Sequence, residues 1–338
     1  MRRSLTVSAL ALAATQLQVH AQELDQTIVG CAELDCPASS ADTANDNCTI
    51  ADTGSFPNVG LTRVPSSDAA LAGLSWVKGF NVTDPPTGNR TFHSSFYLGA
   101  PSSLALNAST GACAVFLHGA AAWSLAFGVN GTGETAQGTC SEAMGSTCVD
   151  AIVARAKELV GDYTDSDDVT STVDACAKLQ SDLLDSTLDA CTPISKGSWT
   201  NFTSVALTGD GAPTAISQEQ NSSSACWPIT PKEDSLTLVT EYTVEGNDFV
   251  ADAEEAQWTI TPILTVFYPA SNGSVVDTID ASLSCVKAMG PAKASLDTIN
   301  DGTNDTDSGA TALSSPNSLT TAVSCFTAAV LFGLYAAF

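Results

Sequence analysis

The chain has 338 residues and a formal net charge of −25, with 12 basic side chains against 37 acidic ones. That balance excludes a nucleic-acid binder and a ligand of anionic lipid headgroups, because both partners would be repelled. Only 14% of residues are charged and 44% are apolar, a composition that folds rather than stays disordered and suffices for one large domain or two small ones.

The first element is residues 1–21, which read as a secretory signal. Met1-Arg2-Arg3 is a basic start, Leu5 to Leu17 is an apolar run, and Val19-His20-Ala21 suits cleavage after Ala21. The run is too short for a membrane span of about 20 residues.

Residues 22–90 are punctuated by Gly, Pro, Asp and Ser and hold Cys31, Cys36 and Cys48. They predict irregular structure stapled by disulfides, with short strands and a loop at Asp84-Pro85-Pro86-Thr87-Gly88. From Thr91 the pattern alternates: Phe92, Ser94, Phe96 and Leu98 against His93, Ser95 and Tyr97, the period of a strand. Leu104 to Leu106, the turn Asn107-Ala-Ser-Thr-Gly111 and Cys113 to His118 predict a hairpin.

Between Cys140 and Cys191 the period changes to that of a helix. Val149, Ile152, Val153, Ala156, Leu159 and Val160 form one apolar stripe. Val173, Cys176, Ala177, Leu183, Leu184 and Leu188 form another, opened by Ser171 with Asp174 three residues later, as in a capping box. The acidic turn Asp162 to Asp168 separates them. Strands return with Leu236, Leu238, Tyr242 and Val244. The segment Trp258 to Tyr268 is apolar on both faces around Ile263 to Phe267, which predicts a buried strand, and Pro262 predicts a bulge or an edge in it. Asn272-Gly273 is a turn that leads through Val275-Val276 to Cys285. The expected fold is α+β: an antiparallel β-sandwich-like core in the domain 91–289, with a disulfide-stapled helical pair inserted at 140–191.

Residues 290–308 are Asp, Thr, Asn, Gly and Ser, the composition of a flexible stalk. Residues 309–338 contain no charge and end in the apolar run Ala322 to Phe338. Small residues, a polar spacer and a hydrophobic tail follow in the order of a glycosylphosphatidylinositol (GPI) attachment signal, with Ser308 as the attachment site and Gly309 or Asn304 next in line. A transmembrane helix is the alternative, but the run is short and no Lys or Arg follows it. On this reading 1–21 and 309–338 are both removed, leaving 287 residues with 10 basic and 37 acidic side chains, a charge of −27.

The eleven cysteines are an odd number. Loss of Cys325 with the tail leaves Cys31, Cys36, Cys48, Cys113, Cys140, Cys148, Cys176, Cys191, Cys226 and Cys285, an even set that predicts five disulfides in a secreted chain. Cys140–Cys148 and Cys176–Cys191 are the local pairings expected. A zinc site is disfavoured because no C-x-x-C pair exists and histidines are few. Sequons begin at Asn47, Asn81, Asn89, Asn107, Asn130, Asn201, Asn221, Asn272 and Asn304, and predict N-glycosylation.

Ser95-Phe96-Tyr97-Leu98-Gly99, Cys113-Ala-Val-Phe116, Gly138-Thr-Cys140, Cys226-Trp-Pro228 and Thr261-Pro-Ile-Leu-Thr-Val-Phe267 resemble blocks in GPI-anchored secreted surface glycoproteins of filamentous fungi. The resemblance spans residues 28–290. It implies a location on the outer face of the plasma membrane or in the cell wall, and it implies no catalytic residues.

No catalytic, cofactor or metal residue is assigned. Asp52-Thr53-Gly54-Ser55 is similar to the aspartic-protease loop, but its second copy, Asp307-Ser308-Gly309, sits in the polar stalk, so no opposed pair of aspartates forms. His93 and His118 are the histidines beyond the signal, and no G-x-S-x-G accompanies them. The clusters Asp162–Asp168, Glu254-Glu255 and Asp301–Asp307 do not follow the spacing of a calcium loop. Trp76, Trp123, Trp199, Trp227 and Trp258 are core residues or sugar-stacking platforms. The expected protein is a surface or cell-wall glycoprotein, structural or adhesive, held to the outer leaflet by its lipid. Cell-wall polysaccharide is its candidate partner and nucleic acid is excluded. The alternatives are an anchored enzyme acting on wall polysaccharide, through paired carboxylates, and a small-ligand or glycan binding module.

Overall fold

A computed structural model describes residues 27–29, 48–50, 54–56, 58–84, 88–118, 125–127, 136–164, 169–186, 188–195, 201–217, 235–246 and 251–289. The proposed signal, stalk, attachment site Ser308 and tail lie outside them. So do Asp52, Cys31, Cys36, Cys226, Trp123, Trp199 and Trp227, and the sequons at Asn47, Asn130, Asn221 and Asn304. Cys48 enters only as the first residue of a strand.

The elements run β1 (Ile28–Val29), β2 (Cys48–Ile50), β3 (Gly54–Phe56), β4 (Asn58–Arg63), β5 (Ser75–Thr83), β6 (Arg90–Ala100) and β7 (Thr110–Leu117). Next come helices α1 (Cys140–Met144), α2 (Ser146–Thr164), α3 (Thr172–Leu184) and α4 (Thr192–Ser195). The chain continues with β8 (Phe202–Ala206), β9 (Ser235–Gly246), α5 (Ala251–Trp258), β10 (Thr261–Pro269) and β11 (Asp280–Val286). Two antiparallel sheets result, ordered β1-β4-β5-β6-β9 and β11-β10-β7-β8, beside the small hairpin β2-β3.

Strand alternation builds three layers. On β5, Trp76 faces the second sheet and meets Phe96, Phe116, Ile263 and Phe267, while Val77 faces outward against Ile50, Phe56 and Tyr97. On β7, Ala112, Ala114 and Phe116 join the core between the sheets, and Cys113, Val115 and Leu117 face the helices. The second sheet is therefore covered on both sides. That is why β10 is apolar on both faces, as expected: Ile263 and Phe267 point one way, Leu264, Val266 and Tyr268 the other. Helix α2 packs Ile152, Ala156, Leu159 and Val160 on this sheet, so its stripe is the one read from the sequence. The α+β sandwich with an inserted, disulfide-bearing helical layer is the observed architecture.

Several local expectations are corrected. The segments around Asn107 do not form a hairpin, because β6 and β7 belong to different sheets. The intervening turn crosses between layers, and the Ser109 carbonyl accepts the N–H groups of Ala270 and Ser271. On α3, Val173 and Ala177 are exposed and Ala175, Cys176, Leu179 and Leu183 are buried. A bond from Cys176 to β7 fixes that face. Ser171 does cap α3, accepting the Asp174 N–H at 3.1 Å. Trp258 belongs to helix α5 rather than to a strand, and Glu254-Glu255 lie on the same helix. Pro262 needs neither a bulge nor a sheet edge: β10 is an inner strand without a register shift, and its ladder to β7 begins only at Ile263.

The expected local disulfides are replaced by three longer ones among the described residues: Cys113–Cys176, Cys140–Cys285 and Cys148–Cys191, with Cα separations of 5.4, 4.9 and 4.7 Å. A disulfide requires facing Cβ atoms at such distances, and sequence proximity does not supply that. Cys140 faces β11 and Cys176 faces β7, so two bonds tie the helical layer to the sheet. The third ties α2 to the turn Asp189–Cys191.

Candidate functional site

Three polar clusters interrupt this apolar frame. The first is the most unusual for so acidic a chain: two of its few lysines are buried, Lys78 at 1% exposure and Lys287 at 2%. Lys78 lies in the middle of β5, opposite Phe96 on β6 and Gly60 on β4. Alternation with Trp76 aims it between the sheets. Its Nζ donates to the Thr259 carbonyl at 2.9 Å and lies 5.8 Å from the Phe96 ring centroid. Burial, and then the charge of Lys287, push the Lys78 ammonium down to about 7. Burial pushes Lys287 down to about 8, and its Nζ stands 5.7 Å from the Phe127 ring. Close packing holds the pair in place: a Cβ on Gly60 would lie 1.8 Å from the Lys287 carbonyl oxygen.

His118 lies at the margin of the same cluster. Its ring stacks on Tyr242 at 4.0 Å, with Phe96 and Phe116 beyond. Burial and the neighbouring Lys78 push it down to about 3, so the imidazole is neutral at every physiological pH. Tyr242 in turn accepts a hydrogen bond from Asn201 Nδ2 at 3.0 Å, joining the edges of the two sheets. A neutral amine among aromatic rings is chemically a nucleophile. Here its amine is directed at the backbone carbonyl of half-buried Thr259.

The second cluster joins all three layers through Asp280, at the start of β11. Its carboxylate accepts from Ser66 Oγ at 2.5 Å and Ser67 Oγ at 2.8 Å, both in the β4–β5 loop, and Lys157 of α2 stands 4.0 Å away. The third is on the outer helical face. A groove of about 660 Å³ is lined by Arg155, Leu159, Asp182, Asp185, Ser186 and Leu188. Asp182 accepts from the Tyr163 hydroxyl and, at 3.2 Å, from Lys178. Burial alone would raise the Asp182 carboxyl, but those two bonds outweigh it and hold it below the ordinary value. Burial and the same carboxylate push the Tyr163 phenol up. Arg155 bonds Glu158 at 2.7 Å and Ser186 at 3.3 Å. Arg155 and Asp182 are thus each held by neighbouring side chains.

The residues singled out in the sequence do not converge. His118 follows β7 and packs on the inner side of the first sheet, whereas His93 lies on its outer side, since Phe92 and Phe96 face inward and His93 alternates with them. His93 shares a 3.0 Å hydrogen bond with Thr83. Trp76 donates to Thr265 Oγ1 at 2.9 Å in the core, and Trp258 packs by Phe80 and Phe92. Among the described residues no group of three or more His, Cys, Asp or Glu could hold a metal, and no helix is long and apolar enough to cross a membrane. Lys78, Lys287, Asp280, Asp182 and Arg155 were missed. Only Lys78 left a sequence signal, a lone lysine in the apolar strand Ser75-Trp-Val-Lys-Gly-Phe80.

No protein-family model, no curated protein and no solved structure matches this chain.

Proposed function

We propose that the protein is a GPI-anchored, N-glycosylated component of a cell surface or cell wall, with a structural or adhesive role rather than a catalytic one. The observation that carries this reading is the set of three buried disulfides, spanning 43, 63 and 145 residues of chain. Such bonds form and persist in an oxidising, extracellular compartment. The two terminal signals, the charge and the exposed sequons point the same way, as does the resemblance to anchored fungal surface glycoproteins. Against catalysis stands the use of the polar groups: the carboxylates of Asp182 and Asp280 are occupied by neighbouring side chains, and the amine of Lys78 donates to a backbone carbonyl. Outer-leaflet lipid is the anchoring partner, and wall polysaccharide is the polymer to be bound.

Two measurements test the reading. The full chain is expressed in a secreting host and its C-terminal peptide is analysed by mass spectrometry. The expected peptide ends at Ser308 with a glycolipid, and one ending at Phe338 refutes the anchor. The soluble form, 22–307, is then incubated with glucan, chitin and mannan oligosaccharides. Retention of intact sugar supports adhesion, and cleaved or transferred products establish an enzyme instead.

A further inference from the structure

Five of the nine sequons fall within the described residues, and the fold treats them differently. Asn81 lies within β5, half-buried and opposite His93. Asn201 is exposed but holds Tyr242 through its Nδ2. Asn89, Asn107 and Asn272 are exposed. Asn89 immediately precedes β6.

The other two belong together. Asn107 Oδ1 accepts the Ser109 N–H at 2.9 Å, an Asx turn spanning the sequon itself, which leaves Nδ2 facing solvent. Asn272 precedes Gly273, whose φ of 92° makes the turn between β10 and β11. The two turns are bonded to each other. The Ser109 carbonyl accepts Ala270 N–H at 2.9 Å and Ser271 N–H at 3.0 Å. Ser274 Oγ, the hydroxyl of the second sequon, shares a 3.1 Å hydrogen bond with Thr110 Oγ1, which also accepts the Val275 N–H. Asn107 is two residues from this junction, a reach of at most about 7 Å.

The pair also has a defined place on the molecule. Thr110 pairs with Pro269 at one end of the second sheet, and Thr261 with Val286 at the other. Met289, bridged to Val59, follows at that second end. Nine residues of β10 separate the ends, about 30 Å at ~3.3 Å per residue.

We infer that Asn107 and Asn272 carry a close pair of N-glycans on one cross-bonded tip, at the end of the sandwich remote from Met289. The tip offers two glycans together to one carbohydrate-binding partner. The inference rests on the reading of the chain as an anchored surface glycoprotein.

Glycopeptide mapping of the full chain from a secreting host tests occupancy, and endoglycosidase trimming of the folded protein tests proximity. Asn107 and Asn272 should both be occupied and Asn81 bare. In Asn107→Gln, trimming at Asn272 should quicken at least threefold, because the neighbouring glycan no longer blocks the enzyme. The reciprocal Asn272→Gln should act likewise on Asn107, while trimming at Asn89 is unchanged in both. On intact cells, a mannose-specific lectin should bind a variant that keeps only Asn107 and Asn272. Occupancy of Asn89 without Asn107 or Asn272, or trimming rates that ignore the neighbour, overturns the pairing and leaves the surface reading intact. Lectin binding only after release from the membrane overturns their presentation to a partner at the cell surface. A chain without any glycan overturns the surface reading too.

Discussion

Replacing Lys78 by methionine should stabilise the protein at neutral pH, and the gain should vanish as the solution becomes alkaline. The folded protein holds this ammonium at about 7 against an ordinary 10.5. Between those values the unfolded chain binds the extra proton, so stability rises with pH across that window, and the penalty is fully present below it. At about 1.4 kcal/mol per pH unit, the penalty near pH 7 is about 5 kcal/mol. Methionine fills a similar volume without a charge. It abandons the bond to the half-buried Thr259 carbonyl, which costs at most about 1–3 kcal/mol. The net gain at pH 7 is then about 2–4 kcal/mol, or roughly 5–10 °C in Tm for a chain of this size. Above pH 10.5 the sign reverses, because only the lost hydrogen bond remains. The assay is thermal unfolding of Lys78→Met and the parent at several pH values from 6 to 11, with disulfides intact. A variant less stable at pH 7, or a difference that is flat from 7 to 10.5, refutes the reasoning.

Opening Cys140–Cys285 by a double serine substitution should cost about 5 kcal/mol in the loop-entropy account, against about 4 for Cys148–Cys191, since the loops span 145 and 43 residues; urea unfolding ranks them. Gly60→Ala should destabilise by about 3 kcal/mol or more, because the new methyl cannot coexist with the Lys287 carbonyl; loss of soluble yield or of Tm reads it. Asp182→Asn should lower the Tyr163 phenol toward its ordinary value, followed by ultraviolet titration. It should also remove the stability that the depressed Asp182 carboxyl provides above its ordinary value of 3.8, stability that the parent loses only as the pH falls further.

The sequence by itself determined the layers more than their connections. Helical spacing from Val149 to Val160 and the doubly apolar run Ile263 to Phe267 were legible because each is a local pattern set by burial of one face or two. The Ser171 cap was legible for the same reason. β4 and β5 were hidden among Gly, Pro and Ser because both of their faces are covered and close approaches fix a glycine inside each. Gly60 yields to a carbonyl, and Gly79 yields to Phe56, whose ring lies 2.6 Å from where a Cβ would stand.

What only the tertiary structure decided are relations between distant residues. Cys140 meets Cys285 across 145 residues of chain. Ser66 and Ser67 meet Asp280. Asn107 and Asn272 come to one tip. Lys78 gives up its ordinary ionisation because the core buries it and Lys287 lies near it. Each depends on which faces the packed layers turn toward one another, and a linear pattern carries the period of a face but not the identity of the face that meets it.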